Sequence, residues 1–258
     1  MTHAERRTAL EAIASEVRAC TRCRLASGRT NAVPGEGSPD TEVVFVGEGP
    51  GYNEDRLGRP FVGRAGGVLI ELLGSVEWRR EDVFITNVVK CRPPSNRDPE
   101  PDEIAACAPY LQRQLEAIDP ALVVTLGRFS LGTFMPGTRI SQVHGTVRPV
   151  DPETGAVDAT VLALYHPAAA DRSPDVKRQS FEDIGHAPTA LLDARARRAA
   201  RPNAGTGTNA GDPGTNAGST NATGPGAVEG VMATPEVATV TIDLTTDDGP
   251  AAADLTIF

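Results

Sequence analysis

The chain has 258 residues, a hydrophobic share of 40% and a net charge of −9, which allows one domain with its own core and some extra sequence. No apolar run of about 18 residues occurs, so no membrane-spanning helix is expected. The opening MTHAERRTALEAIA lacks the apolar stretch of a secretion signal, and a cytoplasmic protein is the expectation. The acidic balance argues against a polyanionic partner until it is located. Pro202 to Phe258 holds seven of the 34 acidic residues and none of the 25 basic ones, leaving 27 against 25 elsewhere. A nearly neutral remainder can present a basic face.

Residues 5 to 19 carry Leu10, Ile13, Ala14 and Val17 at helical spacing, and this helix delivers Cys20 and Cys23 at its end. The turn-rich GRTNAVPGEGSPDT follows, then a strand from Glu42 to Val46 that runs into GEGPG. A helix is predicted over 64 to 74, and DVFITNVV (82 to 89) reads as a second buried strand. Pro101 and Asp102 open a helix whose positions Ile104, Cys107, Leu111, Leu115 and Ile118 keep its period. ALVVTLG (121 to 127) and TVLALYHP (160 to 167) are the third and fourth strands. Strands apolar on both faces, alternating with helices, predict an α/β fold: a three-layer sandwich around a mostly parallel four-stranded sheet. Ligands of such sheets bind at the carboxyl ends of the strands. Three chemically unusual stretches fall there: GEGPG, TNVVKC and YHPAAA.

From about Ala199 the composition turns to Gly, Thr, Asn, Ala and Pro, with the near-repeat GTNAG. Such a segment cannot bury a core. The expected division is a domain over 1–198 and a disordered acidic low-complexity tail over 199–258. Two apolar islands, VATVTIDLTTDD and ADLTIF, interrupt the tail. They suit a segment that folds onto a partner, and the terminal Leu255, Ile257 and Phe258 would fit a hydrophobic pocket on a replication clamp; the competing reading is a tail that merely solvates the protein.

Cys20-x-x-Cys23 places two thiols on one turn, while fifteen residues separate Cys91 from Cys107. The second pair therefore lacks the C-x-x-C knuckle usual in zinc ribbons. A four-thiolate iron–sulfur cluster tolerates uneven spacing. A redox C-x-x-C pair with two core cysteines, or a structural zinc, are the competing readings. All four cysteines lie near motif segments and none is spare, which favours the cluster.

Taken in order, Cys20-x2-Cys23, VPGEG (33 to 37), GEGPGYNEDRLGRPFVGRAG (47 to 66), NVVKCRPPSNRDPEPDEIAAC (87 to 107) and HPAA (166 to 169) resemble the family 4 uracil-DNA glycosylases, over roughly residues 5 to 195. The resemblance implies a uracil-DNA glycosylase-like α/β sandwich and a structural [4Fe-4S] cluster on Cys20, Cys23, Cys91 and Cys107. The implied activity is excision of uracil from single- or double-stranded DNA by a protein that acts as a monomer.

An enzyme acting on a base must take it out of the stack. Phe61 then offers a ring on which the flipped base can stack. Asn87 resembles the family's base-reading asparagine, whose amide can pair with uracil O4 and N3–H and reject cytosine. Backbone N–H groups around Glu48, Gly49 and Gly51 can approach the base. His166 would donate to uracil O2 as negative charge develops there. Glu48 and Glu54 are the candidates to position water or to stabilise an oxocarbenium-like sugar. Arg92, Arg97, Arg172 and ARARRAAR (194 to 201) are candidate phosphate contacts. Two readings of other classes stand beside the enzyme: a non-catalytic or covalent uracil-DNA-binding protein of the same superfamily, and a zinc-dependent nucleic-acid-binding module.

Overall fold

A computed structural model describes residues 1–200. Most of the predicted tail, with both apolar islands, lies outside the described residues. In chain order the first helices are α1 (His3–Ala19), α2 (Leu25–Gly28), α3 (Tyr52–Leu57), α4 (Arg64–Ser75) and α5 (Pro101–Ile118). They are followed by α6 (Arg128–Phe134), α7 (Ile140–Val143), α8 (Pro167–Arg172), α9 (Pro174–Ile184) and α10 (Ala187–Ala199).

Among the described residues the sheet has six strands in the order β1-β3-β2-β4-β6-β5. Four of them, β2 (Val43–Gly47), β3 (Phe84–Asn87), β4 (Leu122–Leu126) and β6 (Thr160–Leu164), run parallel. These are the four strands expected. The expectation of a four-stranded sheet is corrected by two short antiparallel edges, β1 (Glu36–Gly37) on β3 and β5 (Val147–Pro149) on β6. Both escape the sequence pattern for a physical reason. β1 is two residues inside a Gly- and Pro-rich turn, and β5 is exposed along its length and ends on proline. Proline is tolerated at a sheet edge because no ladder donor is needed there.

The parallel strands are buried end to end, and successive residues supply opposite faces. Val44, Val46, Phe84, Val123, Val161 and Ala163 join α1 and α5 in one core. Phe45, Ile85, Leu122, Val124, Leu162 and Leu164 join α4, α9 and α10 in the other. This is why the strands read as mainly apolar runs, with Thr86, Asn87, Thr125 and Thr160 their buried polar members.

The helix ends follow from local chemistry. Thr2 and Glu5 form a reciprocal capping box on α1: Glu5 N–H donates to Thr2 Oγ1 (3.3 Å) and Thr2 N–H to Glu5 Oε2 (2.7 Å). Pro101 opens α5 where its missing N–H costs nothing. The buried Glu103 accepts from Glu100 N–H at 2.8 Å and from both Arg97 Nη atoms at 2.9 and 2.7 Å. The result is a fixed connection from the end of β3 into α5.

Candidate active site and cysteine cavity

The ends of β2, β3 and β6 bring Gly47, Asn87 and His166 together. Asn87 is 1% exposed, and its Oδ1 is buried without a hydrogen-bond partner. Buried polar atoms are rarely left so, and each exception asks for an explanation. A Cβ on Gly47 would collide with Asn87 Oδ1 and Phe61 Cζ. Glycine there lets the amide and the ring lie against the strand.

Phe61 is buried, in the core cluster that contains α4, yet its backbone is left-handed at φ 49°. That conformation costs a non-glycine residue about 1–3 kcal/mol. Several bonds hold it. Arg80 donates to Phe61 O at 3.0 Å and also to Pro60 O, and Glu36 accepts from Arg80 Nε at 2.9 Å and from Arg59 Nε at 2.7 Å. Glu54 Oε1 accepts from the N–H groups of Val62 and Gly63, both at 2.8 Å. Glu54 therefore braces the loop that carries the ring. Its other oxygen lies beside Gly51, the residue that caps α3.

His166 caps α8, its ring centroid 5.9 Å from that of Phe61. Ala168 N–H donates to His166 Nδ1 at 3.1 Å. An accepting Nδ1 leaves the proton on Nε2. Burial above all, then the charge of Arg172, lowers this histidine to about 4, against a smaller opposing effect of Glu54. At neutral pH it is an uncharged N–H donor. Gly127 makes room for it, at φ +87° with a would-be Cβ 2.9 Å from His166 Cβ.

Glu48 follows β2 directly. Burial pushes its carboxyl up to about 7, the charge of Asp98 adds to the shift, and Arg128 opposes it. Its carbonyl accepts from Val89 N–H at 3.0 Å, which continues the contact of β2 with β3 past the strand ends. Gly49 packs on Val89, where a side chain would lie 2.7 Å from Val89 Cγ2.

The four cysteines line one cavity with Val17, Arg29, Lys90 and Tyr110. Among the described residues no three His, Cys, Asp or Glu side chains are arranged to hold a metal ion. The thiols instead surround a common space. Donors point at their sulfurs: Lys90 N–H to Cys107 Sγ (3.2 Å), Arg29 Nη1 to Cys91 Sγ (3.1 Å) and Arg22 N–H to Cys20 Sγ (3.5 Å). Such donors suit thiolates. Burial pushes the thiols of Cys91 and Cys107 up, Cys107 to about 11. Four convergent sulfurs whose anionic form needs compensation fit an iron–sulfur group.

Between the cavity and the strand ends lies Lys90, fully buried. Its Nζ donates to Thr86 Oγ1 (2.6 Å), Asn87 O (2.7 Å) and Gln114 Oε1 (2.7 Å). Gln114 Nε2 in turn donates to Pro34 O at 2.6 Å. One ammonium thus fixes the peptide of Asn87 to α5 and to the VPGEG turn.

Comparison with known proteins agrees with this geometry. The family model of the uracil DNA glycosylase superfamily matches residues 34–185. A type-4 uracil-DNA glycosylase of Archaeoglobus fulgidus is 47% identical over 184 residues, covering 68% of this chain and 92% of that protein. The type-4 enzyme of Thermotoga maritima is 48% identical, over 68% of this chain and 91% of its own length. That of Saccharolobus solfataricus is 47% identical, over 70% and 86%. The chain belongs to the type-4 uracil-DNA glycosylases.

For a type-4 uracil-DNA glycosylase the residues singled out by sequence fall into two places. Glu48, Gly49, Gly51, Glu54, Phe61, Asn87 and His166 meet at the strand ends, and the four cysteines meet at the cavity. The arginines divide. Arg97 is engaged by Glu103, Arg195 by Glu42 and Arg198 by Asp119. Arg92 and Arg172 form no ion pair among the described residues. Sequence reasoning missed Gly47, Lys90, Gln114 and the buried Asp55. Asp55 Oδ1 accepts from Thr30 and Asn31 N–H at 2.8 and 3.3 Å. Lys90 had a weak signal: a lysine between apolar residues and a cysteine, in a chain with only two lysines.

A cavity of about 520 Å³, lined by Arg6, Glu116, Asp119, Val157 and Arg198 among others, lies at the opposite, amino-terminal end of the strands. Of the residues singled out by sequence it contains Arg198 alone, which is engaged by Asp119.

Proposed function

We propose that the chain is a DNA-repair glycosylase that extrudes uracil into the strand-end site, hydrolyses its N-glycosidic bond and leaves an abasic site. The observation that carries this reading is Asn87 Oδ1, buried and unpartnered between Gly47 and Phe61. Such an acceptor waits for a donor, and uracil N3–H is one. The Asn87 amide nitrogen then donates to O4, whereas cytosine offers a donor at that place. Phe61 supplies the stacking face, worth about 1–3 kcal/mol. His166, uncharged, directs Nε2–H at O2, where negative charge collects as the base departs. A preorganised donor of this type contributes roughly 2.7–4 kcal/mol. Ionised Glu48 orients water or stabilises the cationic sugar. Glu54 holds the Phe61 loop with one oxygen and turns the other toward the same space.

Cys20, Cys23, Cys91 and Cys107 would hold a [4Fe-4S] cluster. When bound, that group supplies bonds that tie the end of α1, the loop after β3 and α5 together. Lys90 N–H and Arg29 donate to the sulfurs, and no proton of the reaction passes through them. The enzyme acts as a cytoplasmic monomer on residues 1–198, and the acidic tail provides contact with a protein partner such as a replication clamp.

Uracil-containing single- and double-stranded oligonucleotides, incubated with the protein and then treated with alkali, test the reading. Strand cleavage confined to the uracil position is expected. Intact strands, or protein trapped covalently on the DNA, would refute it.

A further inference from the structure

Tyr52, at the start of α3, is 55% exposed although it stands on the rim of the site. The guanidinium carbons of Arg56 and Arg92 lie 5.6 and 5.3 Å from the centre of its ring. Neither arginine forms an ion pair among the described residues. Most other arginines near the sheet are held by carboxylates, as Arg97, Arg128 and Arg195 are. These two cations are ordered without being neutralised.

The loop of Arg92 is held in place. Arg92 Nε donates to Asn96 Oδ1 at 2.7 Å, and Ser95 and Asn96 both adopt left-handed backbone, at φ 53° and 55°. Strain of this kind persists only where the surroundings over-determine it, and it concentrates at functional loops. The same loop ends on Asp98, whose charge acts on Glu48. The trio therefore joins the loop after β2 to the loop after β3, at the edge of the base site.

We propose that Tyr52, Arg56 and Arg92 form a strand-binding subsite. The two guanidinium groups take phosphodiester oxygens of the strand that carries the target base, and the tyrosine ring supports a flanking base. Cation–π contact keeps both guanidinium planes oriented before DNA arrives. Fork-shaped donors then meet phosphate without further ordering. The proposal rests on the glycosylase reading only for which strand reaches the rim, so strand binding and excision are measured separately.

The probe for binding is a labelled single-stranded oligonucleotide without uracil, titrated with the full chain by anisotropy across a salt series. Each phosphate contact on a single strand contributes about 0.7 to the slope of log affinity against log salt. Arg56→Gln and Arg92→Gln should each lower that slope by about 0.7, and the double variant by about 1.4. Arg113→Gln, whose arginine is engaged by Glu16 between α1 and α5, should leave it unchanged. Tyr52→Ala should weaken binding about 5- to 150-fold, while Tyr52→Phe retains it. On a saturating uracil-containing oligonucleotide Arg113→Gln should keep the wild-type excision rate. Wild-type slope and affinity in the double variant and in Tyr52→Ala would overturn the subsite, even with excision intact. Absence of excision in the wild type, with the slopes shifted as stated, would remove the glycosylase reading and leave the strand subsite standing.

Discussion

The ionisation of Glu48 sets the sharpest expectation. Its ordinary value of 4.5 is moved to about 7 by burial first and by the charge of Asp98 second. If the ionised form is the working one, single-turnover excision falls tenfold for each pH unit below about 7, and by about 100-fold at pH 5. His166 adds no limb in that range, because it stays uncharged down to about 4. Stability moves the other way for Glu48. A carboxyl whose folded value is raised favours the fold when protonated, so that contribution is lost as pH rises from 4.5 through about 7. For His166 the folded value is depressed from 6.5 to about 4, so its contribution is present above 6.5 and lost as pH falls through about 4. The assay is single-turnover excision from a uracil oligonucleotide between about pH 5 and 9 at fixed ionic strength. Glu48→Gln should be flat across it and about 10²-fold below the wild-type plateau. Asp98→Asn should shift the wild-type midpoint to lower pH, since it removes a like charge and frees Arg128 to act on Glu48. A wild-type profile that is level from pH 5 to 8, or an acid limb that survives in Glu48→Gln, would refute the reasoning.

Lys90→Met removes the ammonium shared by Thr86, Asn87 and Gln114, and each buried acceptor left unpaired costs about 1–3 kcal/mol. Denaturant unfolding should show at least that loss, and unchanged stability would contradict the network. Cys91→Ser should abolish the visible absorbance of anaerobically purified protein and destabilise it, because a lost metal site removes folding energy. Iron content equal to wild type would count against the four-cysteine assignment. Truncation after Arg201 should preserve excision from short oligonucleotides and tighten non-specific DNA binding, since it removes only acidic charge. Lost activity would place the tail in the catalytic unit.

The parallel strands were legible because burial on both faces forces mainly apolar runs such as Val43 to Val46. The candidate residues Glu48, Asn87 and His166 stood out as a group because each lies at or just past the carboxyl end of one of those strands. Boundaries were not. DVFITNVV suggests a strand to Val89, but Val88 and Val89 donate to Gly47 and Glu48 as the chain leaves the ladder, and Asp82 is bound into a turn with Arg79. β1 and β5 have too few residues, and too exposed a setting, to leave a pattern. Burial of Lys90, Asp55 and Glu103 was also hidden. A charged residue reads as surface until the partners that satisfy it, distant in sequence, are brought beside it. The arginines show the same limit. Which of them are free for DNA depends on carboxylates such as Glu42 and Asp119, remote in the chain from the arginines they engage.

The claim at the centre is that the amide of Asn87 reads the base. Single-turnover excision from two otherwise identical oligonucleotides, bearing uracil or cytosine at one position, measures it directly in wild type and in Asn87→Ala. Wild type should release uracil and leave cytosine. The variant should lose about 10²-fold or more on uracil, as expected for removal of a preorganised contact, while its unfolding curve stays unchanged. Near-wild-type release of uracil by Asn87→Ala, or equal release of both bases by the wild type, would contradict the assignment of the site.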